Sequence, residues 1–259
     1  MAYGLRAVTF NSYDLQTSTV SVTSFPDIDD VANIENNYIR LATTDGQKVV
    51  ETKYGGRRIT LIGYIFGTSI DNIEATLDTF KSNIVRGLQS NLDIAYAGGT
   101  RRWEAKVDNI EFGGRNAGFG GITRQFVITF STLGFGFATS STTVSYANET
   151  GSPTKTIAFT GSAKALPKYT ITVNSETDLS NIKIKAVDTN REIEIAQAFS
   201  ASDVIVVDTE AKTVTVNGTG VEPQGVFPEV IQGTNDITFT LTSSSHDVDI
   251  DVEYTARYL

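Results

Sequence analysis

The 259-residue chain has no cysteine and only one histidine, one tryptophan, one methionine and five prolines. Without cysteine there is no disulfide, thiolate nucleophile, zinc finger or iron–sulfur cluster, and folding makes no demand for an oxidising compartment. With His246 alone, the usual supply of general bases near neutral pH is almost missing. No run of about 18 uncharged apolar residues occurs, and the start, Met1 to Arg6, has no apolar signal core, so the chain reads as soluble and unsecreted. Excess positive charge is also lacking. Residues 1–150 hold 13 Lys+Arg against 15 Asp+Glu, and residues 151–259 hold 8 against 15, so the second part carries −7 of the net −9. That balance argues against a phosphate-backbone binder, which needs clustered cations.

What is present is β-pattern, with one exception. The run 59–66 (ITLIGYIF) is rich in β-branched and aromatic residues and uncharged, which predicts a central strand. From Ile70 the period changes: Ile70, Ile73, Leu77, Phe80 and Ile84 share one helical stripe. Thr68 and Ser69 can cap the start, Asp71 and Glu74 suit the positive end of the dipole, and Arg86 with Gly87 closes the helix, which spans about 69–86. This stripe is expected to pack on a sheet built from 59–66, 92–97, 101–112 and 122–130.

Ahead of it, Val8 and Phe10 and then Val20 and Val22 alternate around Asn11–Asp14, which reads as an opening hairpin. Between Pro26 and Gly56 the pattern weakens into a long excursion with a turn signal at Asp45-Gly46, the kind of segment that is either a mobile loop or an arm that orders on a partner. After the helix, Leu92, Ile94 and Tyr96 alternate up to a Gly98-Gly99 turn, then Trp103, Ala105 and Val107 follow. Ile110 and Phe112 continue on the other parity, which predicts a bulge near Asp108-Asn109. The glycine-rich 113–121 fits a loop between strands, since neither a helix nor Lys-Ser/Thr follows it.

The Ser/Thr-rich run 139–146 and the Gly/Pro-containing 148–155 place a domain boundary at 147/148. Eight short strands are expected beyond it, at 156–160, 168–173, 182–186, 193–196, 204–208, 213–216, 237–241 and 248–254, with turns at Asn217-Gly218 and at 233–236. They make an antiparallel sandwich of jelly-roll type. The fold class is therefore mainly β: a β-sandwich or barrel with one packed helix over 1–147, and a carboxy-terminal antiparallel β-sandwich over 148–259.

Chemistry-bearing groups do not assemble in this pattern. Asp247, Asp249, Asp251 and Glu253 recur at period two beside His246, but side chains along one strand face form a row, not the converging shell a calcium ion needs. No serine in an elbow context pairs with His246. The pairs Arg57-Arg58 and Arg101-Arg102 stand at strand ends and could meet acidic groups of a neighbour. No catalytic, cofactor-binding or metal-binding residues are assigned, no cofactor is expected, and the chain reads as a non-enzyme.

The hairpin, excursion, Arg58-Ile59-Thr60-Leu61-Ile62-Gly63-Tyr64-Ile65, helix, Leu92-Asp93-Ile94, Gly98-Gly99-Thr100-Arg101-Arg102-Trp103 and Phe126–Phe130 together resemble the distal tail protein (Dit) family of long-tailed, non-contractile bacteriophages. Residues 202–208, 213–218 and 227–235 are similar to that family's carboxy-terminal, galectin-like sandwich. The resemblance implies a structural virion protein at the baseplate or tail tip, assembled in the host cytoplasm. It implies a hexameric ring between the last tail-tube ring and the hub or tip protein, surrounding the DNA exit channel. The second domain would project outward to hold receptor-binding proteins. Two other readings stay open: a tail-tube subunit with an appended sandwich, and a carbohydrate-binding module using aromatics from the set Tyr169, Phe199, Phe227, Phe239, Tyr254 and Tyr258, of which Phe239 and Tyr254 sit at core parity. The excursion at 26–58 and the loop at 113–121 are the expected inter-subunit contacts.

Overall fold

The computed structural model describes residues 6–28, 30, 34–40, 47–86, 89–115, 122–132 and 134–259. The chain divides into two compact units, 1–137 with Leu259, and 138–258. Unit 1 holds β1 (Val8–Phe10), β2 (Tyr13–Asp14), β3 (Val20–Ser24), β4 (Ile34–Arg40), β5 (Gln47–Tyr54), β6 (Arg58–Phe66), α1 (Ile70–Arg86), β7 (Gln89–Tyr96), β8 (Gly99–Arg115) and β9 (Thr123–Thr132); β10 (Gly136–Ala138) crosses the boundary.

Seven of these strands run in one antiparallel sheet in the order β2-β1-β7-β8-β9-β6-β3, and β10 joins it beside β8. Its curl is deep enough that the bridge Gln16↔Ser21 links the chain after β2 to β3 at the far end. The opening hairpin expected from Val8 and Val20 is thus not formed: β1 pairs β2 and β7, while β3 pairs β6. Asn11 and Ser12, both at positive φ, make the tight β1–β2 turn and redirect the chain.

Alternation puts Ile59, Leu61 and Ile65 of β6, Phe126, Ile128 and Phe130 of β9, and Trp103 and Ala105 of β8 into one buried face. Gly63 continues that face without a side chain because a Cβ there would stand 2.5 Å from the Phe126 ring and 2.4 Å from the Ser21 carbonyl. The space goes to Phe126, whose ring centre lies 4.8 Å from that of Phe80 on α1. The helix buries Ile73, Leu77, Phe80 and Ile84 as its stripe requires, but Ile70 at the first position is 49% exposed. Its start is closed reciprocally: the Asn72 N–H donates to Ser69 Oγ (3.1 Å) and the Thr68 N–H to Asn72 Oδ1 (3.0 Å). Gly87 lies outside the described residues. In β8 the register shifts between Val107 and Asn109, where the change of parity places the bulge.

Unit 2 holds β11 (Thr142–Glu149), β12 (Thr154–Phe159), β13 (Lys168–Thr177), β14 (Asn181–Ala186), β15 (Arg191–Ile195), β16 (Val204–Asp208), β17 (Thr213–Val216), β18 (Thr219–Gly220), β19 (Gln224–Gly225), β20 (Gly233–Thr242), β21 (Ser245–Tyr254) and β22 (Arg257–Tyr258). One sheet runs β11-β21-β13-β16-β17-β18 and another β12-β20-β14-β15-β19, all antiparallel. Their inner faces share one core around Tyr169, Ile171, Ile184, Phe239 and Ile250.

The Ser/Thr-rich run, expected to close the first domain at 147, is instead edge strand β11 of the second, held to β21 from Thr142↔Tyr254 onward. Its polar composition marks an edge with one wet face, not a linker. The Asn217-Gly218 turn forms as expected, with both residues at positive φ (50° and 78°). The other expected turn, 233–236, begins β20. There the buried Asn235 amide donates to the Ile231 and Gly233 carbonyls and closes the bend just before the strand.

Candidate assembly elements

The excursion expected at 26–58 contains a hairpin. β4 and β5 pair antiparallel from Ile34↔Tyr54 to Arg40↔Gln47, with a register shift between Asn37 and Tyr38. They form a two-stranded sheet of their own, separate from the large sheet. A lone two-stranded ribbon is marginal in water, and its outer edges carry backbone donors and acceptors ready for another strand. Residues 29, 31–33 and 41–46, including the Asp45-Gly46 turn, lie outside the described residues, as do 116–121 of the glycine-rich loop.

The four arginines at strand ends separate into three environments. Arg58 is exposed. Arg102 pairs with Asp93 directly across the β7–β8 ladder, two parallel bonds of 2.7 Å in a bidentate fork. Arg57 is buried, its Cζ 5.0 Å from the Trp103 ring centre, with Nη1 donating to the Asp30 carbonyl (2.6 Å). Arg6 and Arg101 cover the neighbouring Tyr96 ring at 4.5 and 4.0 Å. Burial pulls the Arg57 guanidinium below its usual range, and the nearby Tyr96 partly offsets that. Burial likewise pushes the Tyr96 hydroxyl up, against the surrounding arginines. The Arg57 and Tyr96 groups interact electrostatically but fall short of hydrogen-bond geometry. Sequence reasoning treated the arginines as one exposed set. The usable signal was Trp103, a large ring at an inward position two residues after Arg101.

In unit 2 the carboxylate row behaves as a strand face. Asp247, Asp249 and Glu253 are half-buried and Asp251 exposed, alternating with buried Val248, Ile250, Val252 and Tyr254. Asn174 Nδ2 donates to Asp249 (3.0 Å), and so does the Asn148 N–H (2.9 Å). Among the described residues no group of three or more His, Asp or Glu is placed to hold a metal ion. His246 is buried between Ser243 Oγ at its Nδ1 (2.5 Å) and the Gly151 carbonyl at its Nε2 (2.7 Å), which ties the turn before β12 to β21. Of the aromatics proposed for a sugar platform, Tyr169, Phe199, Phe239 and Tyr254 are all in the core. Tyr169 and Phe199 are corrections, because both were counted as available; burial also drives the Tyr169 hydroxyl strongly upward. A cleft of about 390 Å³ beside β17 is lined by Val214, Val221 and Pro223 with Lys212 and Glu222, and no aromatic ring lines it. Glu229 gathers three cations, Arg191 at 2.7 Å, Lys164 at 3.5 Å and Lys212 at 3.7 Å, and its role is to hold loops together.

A curled sheet carrying one helix and a separate β-ribbon, followed by a two-sheet sandwich, defines a mainly β protein of two units. Among the described residues no helix is long and apolar enough to cross a membrane. Residues 160–258 match the family model for the siphovirus-type tail component, C-terminal domain. Over 98% of this chain and 99% of the other, the fold is similar to that of SPP1 Dit, described as a paradigm of the hub adsorption apparatus in phages infecting Gram-positive bacteria (TM-score 0.71, 14% identity). Chains of the phage P2 baseplate in its activated conformation, with calcium and with strontium, match more loosely (TM-scores 0.46 and 0.45, 10% and 11% identity, covering 96% of this chain and 97% and 98% of theirs). No curated protein matches by sequence. The carboxy-terminal residues thus match the siphovirus-type tail component family, and the chain as a whole shares the fold of SPP1 Dit, in line with the resemblance.

Proposed function

We propose that this protein is a structural component of the phage tail tip that forms a six-membered ring joining the tail tube to the hub or tip protein, around the channel through which DNA leaves. The observation that carries this reading is the end-to-end similarity in fold to SPP1 Dit, with unit 1 and unit 2 both included. Unit 1 forms the ring. A ring of one chain needs head-to-tail contacts, and the β4–β5 ribbon supplies unpaired strand surface for them. Unit 2 holds receptor-binding proteins. The chain is not an enzyme, and DNA slides past without specific binding, in keeping with the net charge of −9.

The test is mass in solution together with negative-stain images of the pure protein. Six-fold rings are expected. A monomer at every concentration would sink the ring, and stacking into long tubes would move the reading to a tail-tube subunit. Removing residues 30–52 is expected to abolish the ring while leaving the carboxy-terminal unit folded; an intact ring in that variant removes the ribbon from the contact.

A further inference from the structure

Six side-chain polar atoms among the described residues are buried without a hydrogen-bond partner, and five of them lie together in unit 1. They are Arg57 Nε and Nη2, Arg6 Nη1, the Tyr96 hydroxyl and Trp103 Nε1. The arrangement is compact. Arg57 Cζ is 5.0 Å from the Trp103 ring centre, Arg6 Cζ 4.5 Å from that of Tyr96, and the two rings are 6.0 Å apart. Arg57 is only 8% exposed, whereas Arg6 and Tyr96 are half-buried, so the cluster runs from the interior to the surface.

The chemistry of the set is one-sided. All five atoms can donate and only the Tyr96 hydroxyl can also accept; three of them belong to the cations Arg57 and Arg6, and the acceptor that Arg57 has engaged is the Asp30 carbonyl, through Nη1. Aromatic faces attract a guanidinium but accept none of its in-plane N–H bonds. Buried donors of this kind are ordinarily satisfied, and an exception calls for a partner. Water can accept from single donors of the set but carries no charge to offset the two guanidinium groups. The free edge of Arg57, Nε with Nη2, is the side that matches two oxygens of one planar anion.

We propose that Arg57 Nε and Nη2, flanked by Arg6 and Tyr96, form a receptor for an oxyanion of the carboxylate type, supplied by an acidic side chain of a second copy of this chain or by a free anion. A duplex phosphate backbone does not reach a guanidinium this deeply covered, whereas a Glu or Asp on a flexible stem does. The second-copy source rests on the ring reading above; the site itself does not.

The experiment is thermal unfolding of the full chain, followed by Trp103 fluorescence, in chloride against acetate or inorganic phosphate at matched ionic strength, and at rising protein concentration. Acetate or phosphate is expected to raise the midpoint by several degrees. If the anion comes from a second copy, the midpoint in chloride rises with protein concentration instead, and acetate weakens the oligomer. In Arg57→Gln either response is lost, and in Arg57→Lys, which keeps charge and loses the fork, it falls severalfold; Arg57→Lys also serves if the Gln variant does not fold. Arg58→Gln, at the exposed neighbour, behaves as wild type. Responses to anion and to concentration that are absent from the wild type, or unchanged in Arg57→Gln and Arg57→Lys, overturn the proposal. Rings that persist unchanged in those variants, with no anion response, overturn this site and leave the ring reading intact. An acetate response that depends on Arg57 in a protein that never forms rings does the reverse.

Discussion

The two units treat their buried polar groups differently. In unit 2 the buried Thr209 hydroxyl donates to the Pro167 carbonyl, Asn235 bonds Ile231 and Gly233, His246 bonds Ser243 and Gly151, and Glu229 meets three cations. Only Asn181 Oδ1 is left over. In unit 1 five donors around Arg57 are unmatched, and the β4–β5 ribbon stands apart from the main sheet. A unit whose polar groups close on themselves is finished as a folding unit. One that leaves donors and strand edges unpaired is shaped to be completed by contact with something else. The difference agrees with the assembly role proposed for unit 1 and the presenting role proposed for unit 2.

The comparison breaks first if the cores are not independent. Phe80 is fully buried in unit 1 against Phe126, Phe112 and Tyr13. Phe80→Ala is expected to cost about 3–5 kcal/mol, as large-to-small changes of aromatic core residues do. Trp103 is the only tryptophan, so its fluorescence reports unit 1 alone, while far-UV circular dichroism reports both. In urea the fluorescence transition should move and the second dichroism transition should stay; a joint shift would mean one core. The reciprocal change is Glu229→Gln, which leaves Arg191, Lys164 and Lys212 facing each other. Those cations are one-third to more than half exposed, so solvent screening holds the cost to about 1–2 kcal/mol. It should appear in the transition that fluorescence does not follow.

Local pattern was readable wherever burial follows alternation. The helix, β6 to β9, the bulge near Asp108 and all eight expected strands of unit 2 follow from periods of 3.6 and 2. What was not readable depends on pairing between distant strands. Val8 and Val20 look like two arms of a hairpin because they are close in sequence, yet β1 finds β7 and β3 finds β6. The boundary at 147 failed because a polar edge strand and a linker have the same composition, and only the ladder to β21 distinguishes them. The arginine cluster was half legible. Arg57 and Arg101 were noticed, but that one goes under Trp103 and the other onto Tyr96, while Arg102 turns to Asp93, depends on strand parity together with curl.

A smaller effect sharpens the contrast at α1. Ser69→Ala removes the hydroxyl that accepts the Asn72 N–H, at a cost of about 1 kcal/mol. Asn72 still accepts from Thr68, so the helix should begin at the same residue. The fluorescence midpoint should fall slightly and the unit 2 transition not at all. A loss as large as that of Phe80→Ala would mean that the cap, and not the stripe, secures the helix to the sheet.

The smallest effect concerns the one unmatched atom of unit 2. Asn181 Nδ2 donates to Glu194 (2.6 Å) across the β14–β15 pair, with Lys183 Nζ 3.2 Å from the same carboxylate, while Asn181 Oδ1 has no partner. The Asn181 bond first, then Lys183, holds the Glu194 carboxyl below its usual range. Because the folded value lies below the unfolded one, the stabilisation is fully present above the usual carboxylate range. It is lost as pH falls from there through the folded value. Carboxyl NMR titration of the wild type should therefore place Glu194 below the usual glutamate range, and Asn181→Ala should raise it. Near neutral pH the variant should lose little stability, because the bond to Glu194 and the orphan acceptor leave together. A large loss there would mean that Oδ1 has a partner, and that unit 2 is closed on itself more completely than its hydrogen bonds indicate. An unmoved Glu194 titration would assign the shift to Lys183 alone.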